Sequence, residues 1–309
     1  MLPDASHRAI DALLVRRGGL ATRQELLRVA PRSIVDNHVE SGRLRRVFPH
    51  VYTARGNPAA GDRRLRAALM CVGGDVVLSH TTALAVHGAV DGDGPVHVTI
   101  AQERRHAGAP TLRVHRRSRF GEDDRQLVRG LPVTTLADSL VAAWPLLTPA
   151  VRRPTTVDAV RRTGVDPDLL VRALARRPNV GGHRQLAETI GLIADGVQSE
   201  LEAMGVLSVF RHRSLPRSVG QFAVRCPDGV TRRLDRAWED AMLAVELDGA
   251  AFHTSPQQRR EDLARDAVLA ALGWLVLRFT YAEVLRDPEA VRAKVLAVYQ
   301  VRVRQLRAS

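Results

Sequence analysis

Residues 231–253, TRRLDRAWEDAMLAVELDGAAFH, hold four side chains suited to divalent-metal and proton-transfer chemistry: Asp235, Glu246, Asp248 and His253. Leu243, Val245 and Leu247 alternate with Ala244, Glu246 and Asp248. That two-residue period is that of a strand with one apolar face and one face ending in two carboxylates. Residues 232–237 read as a second strand and residues 238–240 as the turn, which sets Asp235 opposite about Ala244. Glu246 is then a diagonal neighbour, within about 8 Å. Carboxylates gathered on one face repel each other and disturb one another's protonation unless a cation sits among them. Hard oxygen donors of this kind suit Mg²⁺ or Mn²⁺, so Asp235, Glu246 and Asp248 are the expected metal ligands. In the competing reading these acids are the solvated face of an edge hairpin, paired with Arg232, Arg233 and Arg236.

The flanking elements must hold this hairpin and its histidine. Asp248-Gly249 ends the strand, His253 follows, and a helix starts at Ser255-Pro256 and stops at Gly273, with proline at the first helical position and glycine past the end. A short buried strand, GWLVLRF, then carries Arg278. Asp262, Arg265 and Asp266 share one face of the helix. They either orient His253 or the metal, or form a solvated charged face; Arg278 either reaches a phosphate or pairs with a carboxylate.

Taken in order, Asp235, ELDGAAFH and RREDLARDAVLAALGWLVLRF resemble the very-short-patch-repair endonuclease fold, a branch of the PD-(D/E)xK nucleases, and within it the family labelled domain of unknown function 559. The resemblance implies a DNA phosphodiesterase in which Asp235 is the metal aspartate and His253 handles the proton of the attacking water. It also implies an acid from the preceding helix, placed at Glu202 by the spacing S-x-x-E, with Glu200 the alternative. Two departures stand out. The lysine usual in the wider superfamily is absent, since Lys294, far downstream, is the only lysine. Short-patch repair enzymes also have a histidine at the position of Asp248 and a structural zinc, which Cys71 and Cys226 cannot hold, so mismatch specificity is not implied.

Residues 6–58 read as three helices and a hairpin. Ile10, Leu13 and Leu14 form a stripe ended by Gly18-Gly19, and Thr22 with Glu25 makes a capping box. A third helix, 31–41, carries Ile34, Val35 and Val39 inward and Arg32, Asn37 and His38 outward. Strands at 44–48 and 51–53 flank Pro49-His50 as the wing of a winged helix-turn-helix, with the third helix as the major-groove reader. Arg32, Asn37, His38, Arg43, Arg45 and Arg46 are the expected DNA contacts. GGLATRQELL and SGRLRRVFPHVYTARG resemble the N-terminal winged-helix domain of AbiEi-family antitoxins, which implies DNA binding and self-repression. SHTTALAVHG and GLPVTTLADSL are similar to the middle segment of such chains.

The whole chain therefore reads as a multidomain α/β protein of 309 residues. Its expected parts are a winged helix-turn-helix domain (1–58), a mixed α/β middle domain with a linking helix (59–195), and a restriction-endonuclease-like α/β domain (196–309). The formal net charge of +13 favours a polyanionic partner, and DNA leads. No apolar run reaches membrane-span length and the N-terminus lacks a secretory apolar region, so a cytoplasmic protein with no membrane partner and no small-molecule cofactor is expected. Five histidines in the middle segment, His80, His87, His97, His106 and His115, match no zinc-ligand spacing and are not expected to bind metal. The expected activity is Mg²⁺- or Mn²⁺-dependent DNA cleavage with His253 as general base or acid. The rivals are a non-enzymatic AbiEi-like regulator or antitoxin on a nuclease scaffold and, third, an RNA-directed enzyme.

Overall fold

The computed structural model of the chain describes residues 3–57, 59–92, 94–118, 121, 124–248 and 256–308. They fall into two compact units, Met1–Leu146 and Leu147–Ser309.

The first unit opens with α1 (Pro3–Arg16), β1 (Leu20–Thr22), α2 (Arg23–Val29), α3 (Arg32–Glu40), β2 (Leu44–Phe48) and β3 (Val51–Ala54). The capping box at Thr22 closes as expected: its hydroxyl accepts from the Glu25 amide at 3.2 Å and the Glu25 carboxylate accepts from the Thr22 amide at 2.8 Å. Strand β1, too short to show a period, pairs with β3, so the three-stranded sheet runs β1-β3-β2. Arg32 and Asn37 are exposed. His38 is not: expected to face outward, it is buried and stacked on His7 of α1. Position 38 lies four residues after Ile34 and three after Val35, which returns it to the apolar stripe. Burial, with His7 and Arg43 nearby, depresses its pKa.

The unit continues with α4 (Gly61–Val72), β4 (Val76–Leu78), α5 (His80–Val86), β5 (Val96–Ala101), β6 (Leu112–Arg117), β7 (Arg125–Val128), β8 (Leu131–Thr134) and α6 (Leu136–Ala143). Its five-stranded mixed sheet runs β6-β5-β4-β8-β7. One hydrophobic cluster joins Leu20, Phe48 and Val51 of the first sheet to Val72, Leu78, Val98 and Leu131 around the second. The boundary expected at 58/59 is thus crossed by a continuous core. In α6, Asp138 is fully buried and accepts from Arg117 of β6 at 2.9 Å, with Asp124 3.5 Å from the same guanidinium.

The second unit comprises α7 (Pro149–Thr163), α8 (Pro167–Ala175), α9 (His183–Ala194), α10 (Glu200–Gly205), β9 (Val219–Arg225), β10 (Thr231–Trp238), β11 (Leu243–Asp248), α11 (Pro256–Ala271), β12 (Leu275–Thr280), α12 (Tyr281–Arg286) and α13 (Pro288–Ala308). The break between units lies at 146/147 rather than the expected 195/196, because the helices before residue 195 pack against elements C-terminal to it. Arg153 of α7, for example, donates to both oxygens of Glu200 at 2.9 and 3.0 Å. The sheet order is β12-β11-β10-β9, with β11 and β12 parallel across α11 and the other pairs antiparallel. A core of Val224, Leu234, Ala237, Ala244, Leu269 and Trp274 lies between this sheet and α11. Among the described residues no helix is long and apolar enough to cross a membrane.

Truncating one partner of a buried ion pair strands the other charge, at a cost of about 3–5 kcal/mol. Because Asp124 stays 3.5 Å from the Arg117 guanidinium, Asp138→Ala is expected to lower the opening free energy of first-unit amides in native-state hydrogen exchange by less than that, about 1–3 kcal/mol. Protection in the second unit should be unchanged.

Candidate functional site

The hairpin that carries the acids is longer in its turn than the sequence suggests. A 3-10 turn (Glu239–Ala241) is followed by Met242 in the left-handed region at φ 46°, and the pairing becomes Ala237 with Ala244 and Arg236 with Val245. Carried one step further, this register puts Asp235 directly opposite Glu246 and not diagonal to it. The Leu247 amide donates to Asp235 Oδ2 at 2.9 Å, which closes the pairing at this point. The alternation of exposure expected along β11 is also absent, since Leu243, Ala244 and Val245 are all buried. Apolar covering on both faces leaves only the distal half of the strand, from Glu246, open enough for chemistry.

Glu202 reaches the same place from α10. Gly205 lets that helix approach β11 closely: a Cβ there would lie 2.6 Å from Leu247 Cδ1. Ser199 caps the helix and exchanges hydrogen bonds with Glu202, accepting from its amide at 3.1 Å and donating to Oε1 at 3.0 Å. The Gln198 amide donates to Oε2, also at 3.0 Å. Glu200, the sequence alternative, instead faces Arg153.

Between the acids lies Gln221, which the sequence did not reveal. Its Nε2 donates to Glu202 Oε2 and to Asp235 Oδ1, both at 3.2 Å. Gln221 sits at φ 48° within β9, an uncommon conformation for a non-glycine residue that persists only where its surroundings enforce it. No pattern in the sequence marks it, because β9 lacks the alternation that would identify a strand. Arg236, also missed as a site residue, is buried with its Nη2 unpaired, and burial lowers its pKa even with Asp195, Glu202 and Asp235 in range.

Glu246 is held from the far side. Arg265 of α11 donates to Oε1 at 2.5 Å and Arg278 of β12 to Oε2 at 3.1 and 3.2 Å. The parallel register that sets Glu246 beside Arg278 makes this pairing unavoidable. Arg278 also meets Asp266 through two bonds of 2.7 and 2.8 Å. Arg265 and Asp266 are therefore engaged with the site, while the Asp248 and Asp262 side chains and the whole of His253 lie outside the described residues. The two arginine side chains remain 36% and 33% exposed although the Glu246 side chain is only 12% exposed, so the outer guanidinium nitrogens stay open to solvent or to a ligand.

Burial raises the pKa of Glu246 against the opposing pull of Arg265 and Arg278, and Asp235 adds to the rise. Burial likewise raises Glu202, with Asp235 again contributing. A carboxylate centre whose members resist ionisation in one another's presence is a place where positive charge is stabilised.

Residues 222–298 match the restriction-endonuclease-like family REase_MTES_1575. This match supports a nuclease-like C-terminal region. It takes in Asp235, Glu246, Arg265, Asp266 and Arg278 and leaves Glu202 outside. Over 271 residues the chain is 27% identical to the uncharacterised Mycobacterium tuberculosis proteins Rv2248 and MT2308, covering 85% of this chain and 95% of theirs. An uncharacterised Haemophilus influenzae protein is 47% identical over 49 residues, or 16% of this chain and 40% of its own. Among solved structures, the Rv2827c protein of M. tuberculosis superposes with a TM-score of 0.45 at 19% identity, over 60% of this chain and 75% of that one.

The raised pKa values fix a sign. The stability that Glu202 and Glu246 contribute is present below the unfolded value near 4.5 and lost as pH rises through the higher folded values. Carboxyl carbon NMR is expected to give midpoints above 4.5 for both residues, and both should move down in Asp235→Asn, which removes the negative neighbour.

Proposed function

We propose that this chain is a divalent-metal-dependent endonuclease acting on DNA. The observation that supports it most is Asp235, in electrostatic range of Glu246 on one side and of Glu202 on the other, at the open end of a buried hairpin that matches a restriction-endonuclease-like family. Two facing carboxylates suit Mg²⁺ or Mn²⁺, because Mg²⁺ keeps several waters and takes one or two carboxylates plus substrate phosphate oxygens. Asp235 and Glu246 would hold the ion, with Asp248, whose side chain lies outside the described residues, assigned as a third ligand from the sequence alone. When bound, such an ion polarises the phosphoryl group and lowers the pKa of water.

The protein's own groups supply the rest. Gln221 fixes the orientation of Asp235 and Glu202 through one amide. Arg265 and Arg278, both partly exposed, can trade a Glu246 oxygen for a phosphate oxygen as substrate enters. His253 is assigned, by resemblance, the proton of the attacking water at an imidazole nitrogen.

DNA binding is assigned to the start of the first unit. The order α1-β1-α2-α3-β2-β3, with the sheet arranged β1-β3-β2, is consistent with a winged helix-turn-helix. Arg32 and Asn37 on α3 and Arg43, Arg45 and Arg46 around β2 are exposed and suited to phosphate or groove contact. His38, being buried, is not.

A second reading, a non-enzymatic DNA-binding regulator of the AbiEi-like kind, draws on the arginines at both oxygens of Glu246. In that reading the pairs are structural and the nuclease fold is a scaffold.

Cleavage of plasmid by the purified chain in Mg²⁺ or Mn²⁺, abolished by EDTA, separates the two. Asp235→Asn and Glu246→Gln are each expected to slow cleavage by at least about 10²-fold with DNA affinity retained, the scale of losing one preorganised charge-stabilising group. Parental rates in either variant would remove that residue from the site.

A companion measurement concerns affinity. Arg45→Ala/Arg46→Ala should weaken duplex binding and reduce the slope of log K against log salt by about 0.9 per lost phosphate contact. An unchanged slope would exclude β2 from the interface.

A further inference from the structure

The first unit brings together three histidines that sequence spacing did not connect. We propose that His80, His97 and His115 form a binding site for one divalent cation of the zinc class, with its remaining coordination position open to the adjoining cavity.

The backbone assembles the cluster from three elements. β4 and β5 pair with Leu78 opposite Val98, and the Ser79 amide donates to the His97 carbonyl at 3.0 Å, which sets His80 beside His97. The parallel pairing of β5 with β6 matches Thr99 with His115. His97, Thr99 and His115 therefore share one face of the sheet. The His97 amide donates to the Thr82 hydroxyl at 2.9 Å, pinning α5 to the strand.

Two further observations point to a ligand. One nitrogen from each ring lies within 4.8 Å of the other two, and His97 Nδ1 approaches His115 Nε2 at 2.9 Å. Tetrahedral zinc with bonds of about 2.0–2.1 Å needs ligand atoms about 3.3–3.4 Å apart. The 2.9 Å between His97 and His115 lies just below that value and the other separations within the 4.8 Å limit, so side-chain rotations that unstack His80 from His115 bring the three nitrogens to one ion. The second observation is backbone strain: His80, the first residue of α5, holds φ at 54°, and its ring stacks on His115 with centroids 3.7 Å apart. His80 Nδ1 meets the Ser79 hydroxyl at 2.9 Å, the kind of hydrogen bond that orients a ligating imidazole from its other nitrogen.

Ligand chemistry agrees. Imidazole nitrogen suits zinc, and three protein ligands leave a fourth position for water. That position has somewhere to open: His97 and His115 line a cavity with Ala109, Pro110, Leu112 and Arg113. The hydrogen bond between His97 Nδ1 and His115 Nε2 holds one proton between two nitrogens; a cation bound by both would shift that proton to the other nitrogen of its own ring, which stays a neutral imidazole ligand. The histidines lie 17 and 18 residues apart in the chain. No local zinc pattern has such intervals, and only sheet pairing produces the group.

The test uses the full chain, stripped with EDTA and dialysed, then titrated with Zn²⁺ against a chromophoric chelator in excess Mg²⁺, which occupies the carboxylate centre. One tight Zn²⁺ per chain is expected in the parent and in Asp235→Asn. His115→Gln and His97→Gln should each weaken it by more than about 100-fold, beyond the cost of losing a mere orienting partner. Co²⁺ in the parent should give the intense visible bands of a tetrahedral site, and Zn²⁺ should raise the parent's unfolding temperature. Circular dichroism checks that the variants fold. If they do not, the cobalt spectrum and zinc stoichiometry of the parent decide. A parent that binds no Zn²⁺ under these conditions, or folded histidine variants that bind it as the parent does, would overturn the proposal.

Discussion

The hairpin register, carried on from Arg236 and Val245, sets Asp235 opposite Glu246, and the Gln221 amide links Asp235 to Glu202. This concentration of half-buried negative charge is the constraint that the rest of the second unit answers. Each neighbouring element brings a group that makes it tolerable. β9 bends at Gln221 to offer both hydrogens of one amide, α11 brings Arg265, and β12 brings Arg278 in register with Glu246. Asp266 then balances Arg278. The balance is incomplete, because burial still holds Glu202 and Glu246 above the usual carboxylate range. That remainder of unmet charge distinguishes the place from an ordinary surface network, whose pairs are solvated and nearly neutral in effect.

The first unit handles polar groups in two ways. Asp138 and Arg117 are buried as a pair, with Asp124 near the same guanidinium, and such arrangements survive only when the charges meet in low dielectric. The histidines follow a different course. Burial depresses the pKa of His38, beside His7, and of His97 in the cluster of three, so both favour the neutral ring, the form that can serve as a ligand. For His38 this comes with stacking in a small helical core. For His97 it comes with two more imidazoles and a cavity.

Much of the scaffold was legible because it rests on local chemistry. The Thr22–Glu25 box, the strands around Pro49-His50, Pro256 at the start of α11 and Gly273 after it all appear as expected, since capping and turn formation depend on a few adjacent residues. β1, β4, β7 and β9 were not expected, being short or lacking alternation. α7 was also missed: its apolar residues follow no clean stripe, and Pro154 lies inside it. The two-unit division departed from the expected three because Phe48 and Val51 sit in the same core as the second sheet. Composition cannot show where a core continues.

Sequence by itself determined which residues were chemically eligible: Asp235, Glu246 and Asp248 on strands, Arg265 and Asp266 on one helix face, Arg278 at a strand end. Eligibility follows from residue type and from periods of 2 and 3.6 residues, which any short stretch carries within itself. Tertiary structure alone decided the partners. Met242 shifted the hairpin register by two residues and so turned a diagonal pair into a facing one. Glu202 was separated from Glu200 by which one α7 claimed. His80, His97 and His115 met because strand order made neighbours of residues far apart in the chain. Proximity of that kind is a property of the closed sheet, and no interval along the chain contains it.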